Sequence, residues 1–242
     1  MYSFELFDQK LTFVFQPIVE VDAQGKRVNT IAHEILLRDV ETNRFPLKFF
    51  NEQLQSNEKI LQLYTCYAEG ITHYFKENPT HHLNVNINPN QFFLQATYEH
   101  FKKLEIFSDK ITFELTERPY VEGMSSIDYI ADLLSVVTHI KGMGFHVALD
   151  DVGTGENTLQ LAEKLSTEIE LLKFTTVPFH IMMANQGNNI LRSWRVFANK
   201  KRLPLIIEGI ETPEQAQVFA ELGYTLQQGY YWNDQEQLSN WL

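Results

Sequence analysis

Eight short apolar runs recur along the chain, at residues 11–18, 31–37, 83–87, 111–115, 145–149, 169–172, 204–207 and 224–227, and each reads as a strand. Between them, residues 53–74, 128–143, 158–165, 188–200 and 213–222 place apolar side chains at helical spacing. Thr212-Pro213-Glu214-Gln215 marks one helix start clearly, with Thr212 as N-cap and Pro213 at the first helical position. Strands alternating with helices predict an α/β fold with a mostly parallel sheet and helices outside it, and eight such units predict closure into a TIM-like (β/α)8 barrel. At 242 residues the chain has the usual length of one such barrel, so one domain over residues 1–242 is expected.

Hydrophobic residues make up 44% of the chain and charged residues 21%, which suits a well-packed soluble protein. The start, Met1 to Asp8, has neither a basic region nor an apolar segment of secretory type, and no later apolar run reaches membrane-spanning length, so a cytoplasmic protein without membrane association is expected. The lone Cys66 can form neither an internal disulfide nor a cysteine-based zinc cluster. A formal net charge of −11 disfavours a long nucleic-acid partner, which calls for a basic footprint. A small anionic substrate stays open, because acids gathered on metal ions reverse the local charge that a phosphate meets.

Acidic or amide residues sit inside or just after nearly every apolar run: Glu34, Asn86, Glu114, Glu117, Asp150, Asp151, Glu208 and Glu211. One acid at a strand end is ordinarily a cap or a solvated charge. In a barrel, however, the carboxyl ends of the strands share one rim, so these acids would converge and repel one another unless cations held them. Oxygen-rich sites of this kind suit Mg²⁺ or Mn²⁺. Other motifs fail. His33-Glu34-Ile35-Leu36-Leu37 has Leu37 where a zinc-protease helix needs its second histidine. Gly153-Thr154-Gly155 leads to Thr158 in place of the third glycine of a dinucleotide fingerprint, and no Gly-x-Ser-x-Gly elbow is present.

Seven segments, in order, resemble the EAL-domain cyclic di-GMP phosphodiesterases. They are Phe15-Gln16-Pro17-Ile18-Val19, Glu34-Ile35-Leu36-Leu37-Arg38, Asn86-Ile87-Asn88-Pro89, Glu114-Leu115-Thr116-Glu117 and Asp150-Asp151-Val152-Gly153-Thr154-Gly155, then Leu172-Lys173-Phe174-Thr175 and Glu208-Gly209-Ile210-Glu211-Thr212; Gln228-Gly229-Tyr230 is similar to the final strand. The resemblance implies a modified barrel whose first strand runs antiparallel to the rest, and hydrolysis of cyclic di-GMP to linear pGpG with two ions of Mg²⁺ or Mn²⁺. It assigns Glu34, Asn86, Glu114 and Asp150 to one metal, and Asp150 and Asp151 to a second with help from Glu208. Lys173 then lies beside the attacking water and Arg38 grips a phosphate oxygen. Leu36 packs on the substrate, Glu211 and Gln228 act near the water and the metals, and Glu117 anchors the double-aspartate loop.

The chain also departs from the family pattern. Thr175 stands where the family has aspartate two residues after the lysine, and Val152 replaces a phenylalanine. With Glu156 and Asn157, Val152 alters the loop through which the resemblance implies a homodimer. The alternative reading is a cyclic di-GMP receptor with weak or no catalysis. Such receptors usually lose metal-site residues, whereas Glu34, Asn86, Glu114, Asp150, Asp151, Lys173 and Glu208 are all present.

Overall fold

A computed structural model describes residues 2–53, 56–89, 95–116, 126–155, 157–176 and 189–233. Nine strands are found among them: β1 (Tyr2–Leu6), β2 (Gln9–Val21), β3 (Arg27–Asp39), β4 (Leu83–Ile87), β5 (Ile111–Leu115), β6 (His146–Leu149), β7 (Leu171–Thr175), β8 (Leu205–Glu208) and β9 (Leu226–Gln228). Strands β3 to β9 are parallel neighbours in chain order. β2 runs antiparallel to both β3 and β9 and closes the sheet into an eight-stranded barrel, the modified topology implied by the resemblance.

Helices connect the parallel strands along the chain. They are α1 (Leu47–Gln53), α2 (Asn57–Glu77), α3 (Gln95–Leu104), α4 (Ser126–Gly142), α5 (Leu159–Leu165), α6 (Asn189–Lys201) and α7 (Pro213–Glu221). Helix α7 begins with a full capping box: the Thr212 hydroxyl accepts from the Gln215 N–H, while the Gln215 side chain accepts from the Thr212 N–H. This satisfies two amide groups that a helix start otherwise leaves unpaired.

Four elements differ from expectation. β1 forms a hairpin with β2 around Phe7-Asp8, both with positive φ (49° and 62°), a turn normally marked by Asn-Gly or Asp-Gly. With neither pair in the sequence, the hairpin is masked even though Tyr2, Phe4 and Leu6 alternate with polar residues. β7 starts two residues later than expected, because Ile169 still bonds back to Leu165 at the end of α5; Lys173 therefore lies within the strand. α1 and α3 carry too short an apolar pattern to stand out in the sequence.

Period-two alternation divides the apolar residues between two cores. One, which includes Phe13, Ile35, Leu37, Val85, Phe113, Val147 and Phe174, lies between the barrel wall and the helices. The other is a small plug inside the barrel, made of Ile18, Ala32 and Ile206 with Leu171 and Leu226 packed on it. Two residues further toward the carboxyl ends, the parallel strands present Glu34, Lys173, Glu208 and Gln228 on the same inward face. The wall is closest where β9 ends. A Cβ at Gly229 would lie 2.1 Å from the Ile210 carbonyl oxygen. Gly229→Ala is expected to cost about 1–3 kcal/mol by overpacking, read by urea denaturation. It should also displace Gln228, whose carbonyl accepts from the Ile210 N–H.

Candidate metal-binding catalytic site

Above the apolar plug the barrel is lined with charge. The Lys173 side chain is fully buried, with its Nζ 2.8 Å from Glu114, 2.8 Å from Glu208, 3.2 Å from Glu34 and 3.6 Å from Asp150. Each acid comes from a different strand or strand end, so the parallel register brings together groups far apart in sequence. Glu34 is the most heavily bonded: Asn86 donates to Oε1, while Gln228 and Lys173 donate to Oε2. Gln228 also donates to Gln16 on β2 at 3.0 Å, tying the antiparallel strand into the site.

The four acids do not respond alike. Burial works to raise the Glu34 carboxyl, but Lys173 and the bonds from Gln228 and Asn86 outweigh it and hold Glu34 below the ordinary carboxylate range. Burial raises Glu114, Asp150 and Glu208, opposed by Lys173 and reinforced by the neighbouring carboxylates. For Lys173, burial alone would favour the neutral amine, yet the four surrounding carboxylates hold its pKa well above the usual lysine value. One ammonium thus serves four acids.

At the mouth of this chamber, ligand oxygens of Asp150, Asp151 and Glu208 lie within 4.8 Å of one another. Asp150 Oδ1 is buried without a hydrogen-bond partner. Asp151 has φ 46°, a left-handed conformation held by the loop that follows. In that loop the buried Asn157 amide donates to the Asp150 carbonyl at 2.6 Å, and the Gly153 N–H bonds to the Asn157 carbonyl. Hard oxygen donors, four acids around a single ammonium and a buried carboxylate oxygen with no hydrogen bond, 3.6 Å from that ammonium, all fit a divalent cation.

A cavity of about 370 Å³ opens over these groups, lined by Glu34, Arg38, Asn86, Asp150, Asp151 and Glu208, with Thr175, Glu211 and Gln228 on its walls. A neighbouring cavity of the same volume is more apolar and carries Leu36; Arg38, Asn86 and Thr116 line both. Glu211 stands exposed at the rim. Of the residues singled out in the sequence, all but Glu117 are brought to these two cavities or the chamber beneath them; Glu117 lies outside the described residues. Asn84 and Gln16 were not anticipated as site residues. Asn84 follows the same alternation as Asn86 on β4, and that inward repeat is the signal that would have found it.

The chain is 25% identical over 227 residues to the Escherichia coli protein named "Probable cyclic di-GMP phosphodiesterase PdeN", a match covering 90% of this chain and 42% of that protein. It spans less than half the length of the curated relatives it matches. Among solved structures, the PaMucR phosphodiesterase in complex with c-di-GMP superposes with a TM-score of 0.73 at 21% identity, over 94% of this chain and 99% of that one. A Klebsiella pneumoniae protein in complex with calcium and cyclic di-GMP superposes with a TM-score of 0.71 at 21% identity, over 95% of this chain and 57% of that one. The family model described as the EAL domain matches residues 4–235, nearly the whole of the sequence, and the chain belongs to that family.

Proposed function

We propose that the chain, acting as one EAL unit, is a metal-dependent phosphodiesterase that hydrolyses cyclic di-GMP to linear pGpG. The observation that carries this reading is the convergence of Glu34, Glu114, Asp150 and Glu208 on one buried lysine, with Asp151 beside them and a cavity open above. Glu34, Asn86, Glu114 and Asp150 would hold one Mg²⁺ or Mn²⁺ ion. Asp150 and Asp151 would hold a second, with help from Glu208. Such ions, when bound, supply Lewis acidity toward a phosphodiester and lower the pKa of water.

The chain's own residues do the rest. Arg38 faces the cavity with a fixed fork of N–H donors suited to a phosphate oxygen. Leu36 offers an apolar contact for the remainder of the substrate. Lys173, held charged by its neighbours, keeps positive charge beneath the reacting phosphate and orients the attacking water. Glu208 and Glu211, which line the same cavity, take the proton from that water, and Gln228 fixes Glu34. The active form is a cytoplasmic homodimer joined near the double-aspartate loop.

Incubating the purified protein with cyclic di-GMP, with Mg²⁺, Mn²⁺ or EDTA, and separating the products by chromatography tests the reading. Metal-dependent appearance of pGpG is expected; nucleotide binding without turnover in either metal would favour the receptor reading. Metal binding should also respond to pH. Because burial raises Glu114, Asp150 and Glu208, these groups hold protons to a higher pH than free carboxyls, and a cation competes with those protons. Affinity is therefore expected to tighten as pH rises toward 8, and calorimetry in buffers of different ionisation enthalpy should detect proton release. Uptake of protons, or affinity independent of pH, would count against these ligands.

A further inference from the structure

We infer that Asn84 is a positioning residue that orients Glu114 as a metal ligand. The inference rests on the metal-dependent reading above. Asn84 lies on the inward face of β4, two residues deeper than Asn86, and is only 2% exposed. Its Nδ2 donates to Glu114 Oε1 at 2.7 Å, and Glu114 is fully buried. Strand register pairs Asn86, not Asn84, with Glu114. The bond therefore runs diagonally across the barrel wall and ties the carboxylate back toward the chamber floor. Lys173 contacts the same carboxylate at 2.8 Å. Held by two donors, the group loses its freedom to rotate and meets an incoming cation in one orientation.

The surroundings explain why an amide belongs here. The layer beneath is the apolar plug of Ile18, Ala32 and Ile206, against which an isolated amide is costly. Its bond to Glu114 offsets that cost, and a hydrogen-bonded partner of this kind commonly tunes a metal ligand.

The test compares the parent protein with Asn84→Leu, which keeps the branching at Cγ in a larger side chain and removes the donor, and with Asn84→Ser, which keeps a donor on a shorter side chain. Mn²⁺ alone is titrated into each folded protein by calorimetry, and melting is recorded without metal. Asn84→Leu is expected to weaken Mn²⁺ binding by roughly 10–100-fold with little change in the metal-free melting temperature. Asn84→Ser should fall between it and the parent, and carries the test if the leucine variant does not fold. A purely structural role would instead lower the melting temperature and leave Mn²⁺ affinity unchanged. Parental affinity in the folded variants overturns this inference alone; a parent protein that binds no Mn²⁺ removes the metal reading and the inference together.

Discussion

Lys173→Met is expected to destabilise the metal-free protein by about 3–5 kcal/mol at neutral pH, the usual cost of removing one partner from a buried ionic cluster. The methionine fills the space but leaves Glu34, Glu114, Asp150 and Glu208 facing one another without their shared cation. The pH dependence fixes the cause. Burial already raises three of these carboxyls, and losing Lys173 pushes them further in the same direction. A carboxyl whose folded pKa exceeds its unfolded value contributes stability below the unfolded pKa and loses it as pH rises through the folded one. The deficit should therefore be small near about pH 5 and widen toward pH 8. Added Mn²⁺ should restore part of the loss. Urea denaturation across that range checks all three points, and parental stability at every pH would mean that Lys173 does not hold the acids together.

Glu34→Gln is expected to reduce hydrolysis of cyclic di-GMP by at least about 100-fold, the upper end of what losing a residue that merely supports a ligand costs. The side-chain volume barely changes, but a charged oxygen is replaced by an N–H₂ group. Asn86 donates to one oxygen of Glu34, and Gln228 and Lys173 donate to the other. Whichever way the new amide turns, at least one donor faces another donor. The damage should appear in kcat and in metal affinity together, with the fold retained by circular dichroism. Turnover near the parental rate at saturating Mg²⁺ would remove Glu34 from the ligand set.

Much of this arrangement is legible in the sequence. The barrel could be read from the alternation of apolar runs with helical stretches, since a parallel strand needs a helix to return the chain. The acids could be gathered in advance because a barrel sends every strand's carboxyl end to one rim. What stayed hidden depends on register. Nothing in the sequence says that Asn84 reaches Glu114 diagonally rather than through Asn86, or that Gln228 meets Gln16 across 212 residues. Lys173 was recognisable only through resemblance, because the strand that buries it begins later than its apolar residues suggest. The Phe7-Asp8 hairpin was obscured by turn chemistry that few such residues adopt.

The way the barrel shuts has a consequence for how the protein is made. β2 is joined to β9 through three residue pairs, Ile18 to Gln228, Val19 to Gln227 and Glu20 to Leu226, and β8 meets β9 at Ile207 and Gln227. The seam is short, and it joins strands at opposite ends of the sequence. During synthesis, Gln16 and Glu34 leave the ribosome well before Gln228 exists to bond them, so the charged interior waits, open to water, for β9. Contacts of such long sequence separation slow folding and lengthen the life of partly formed states. In this barrel β9 is the latch: nascent chains ending before Leu226 should stay open and protease-sensitive, however well their helices have formed.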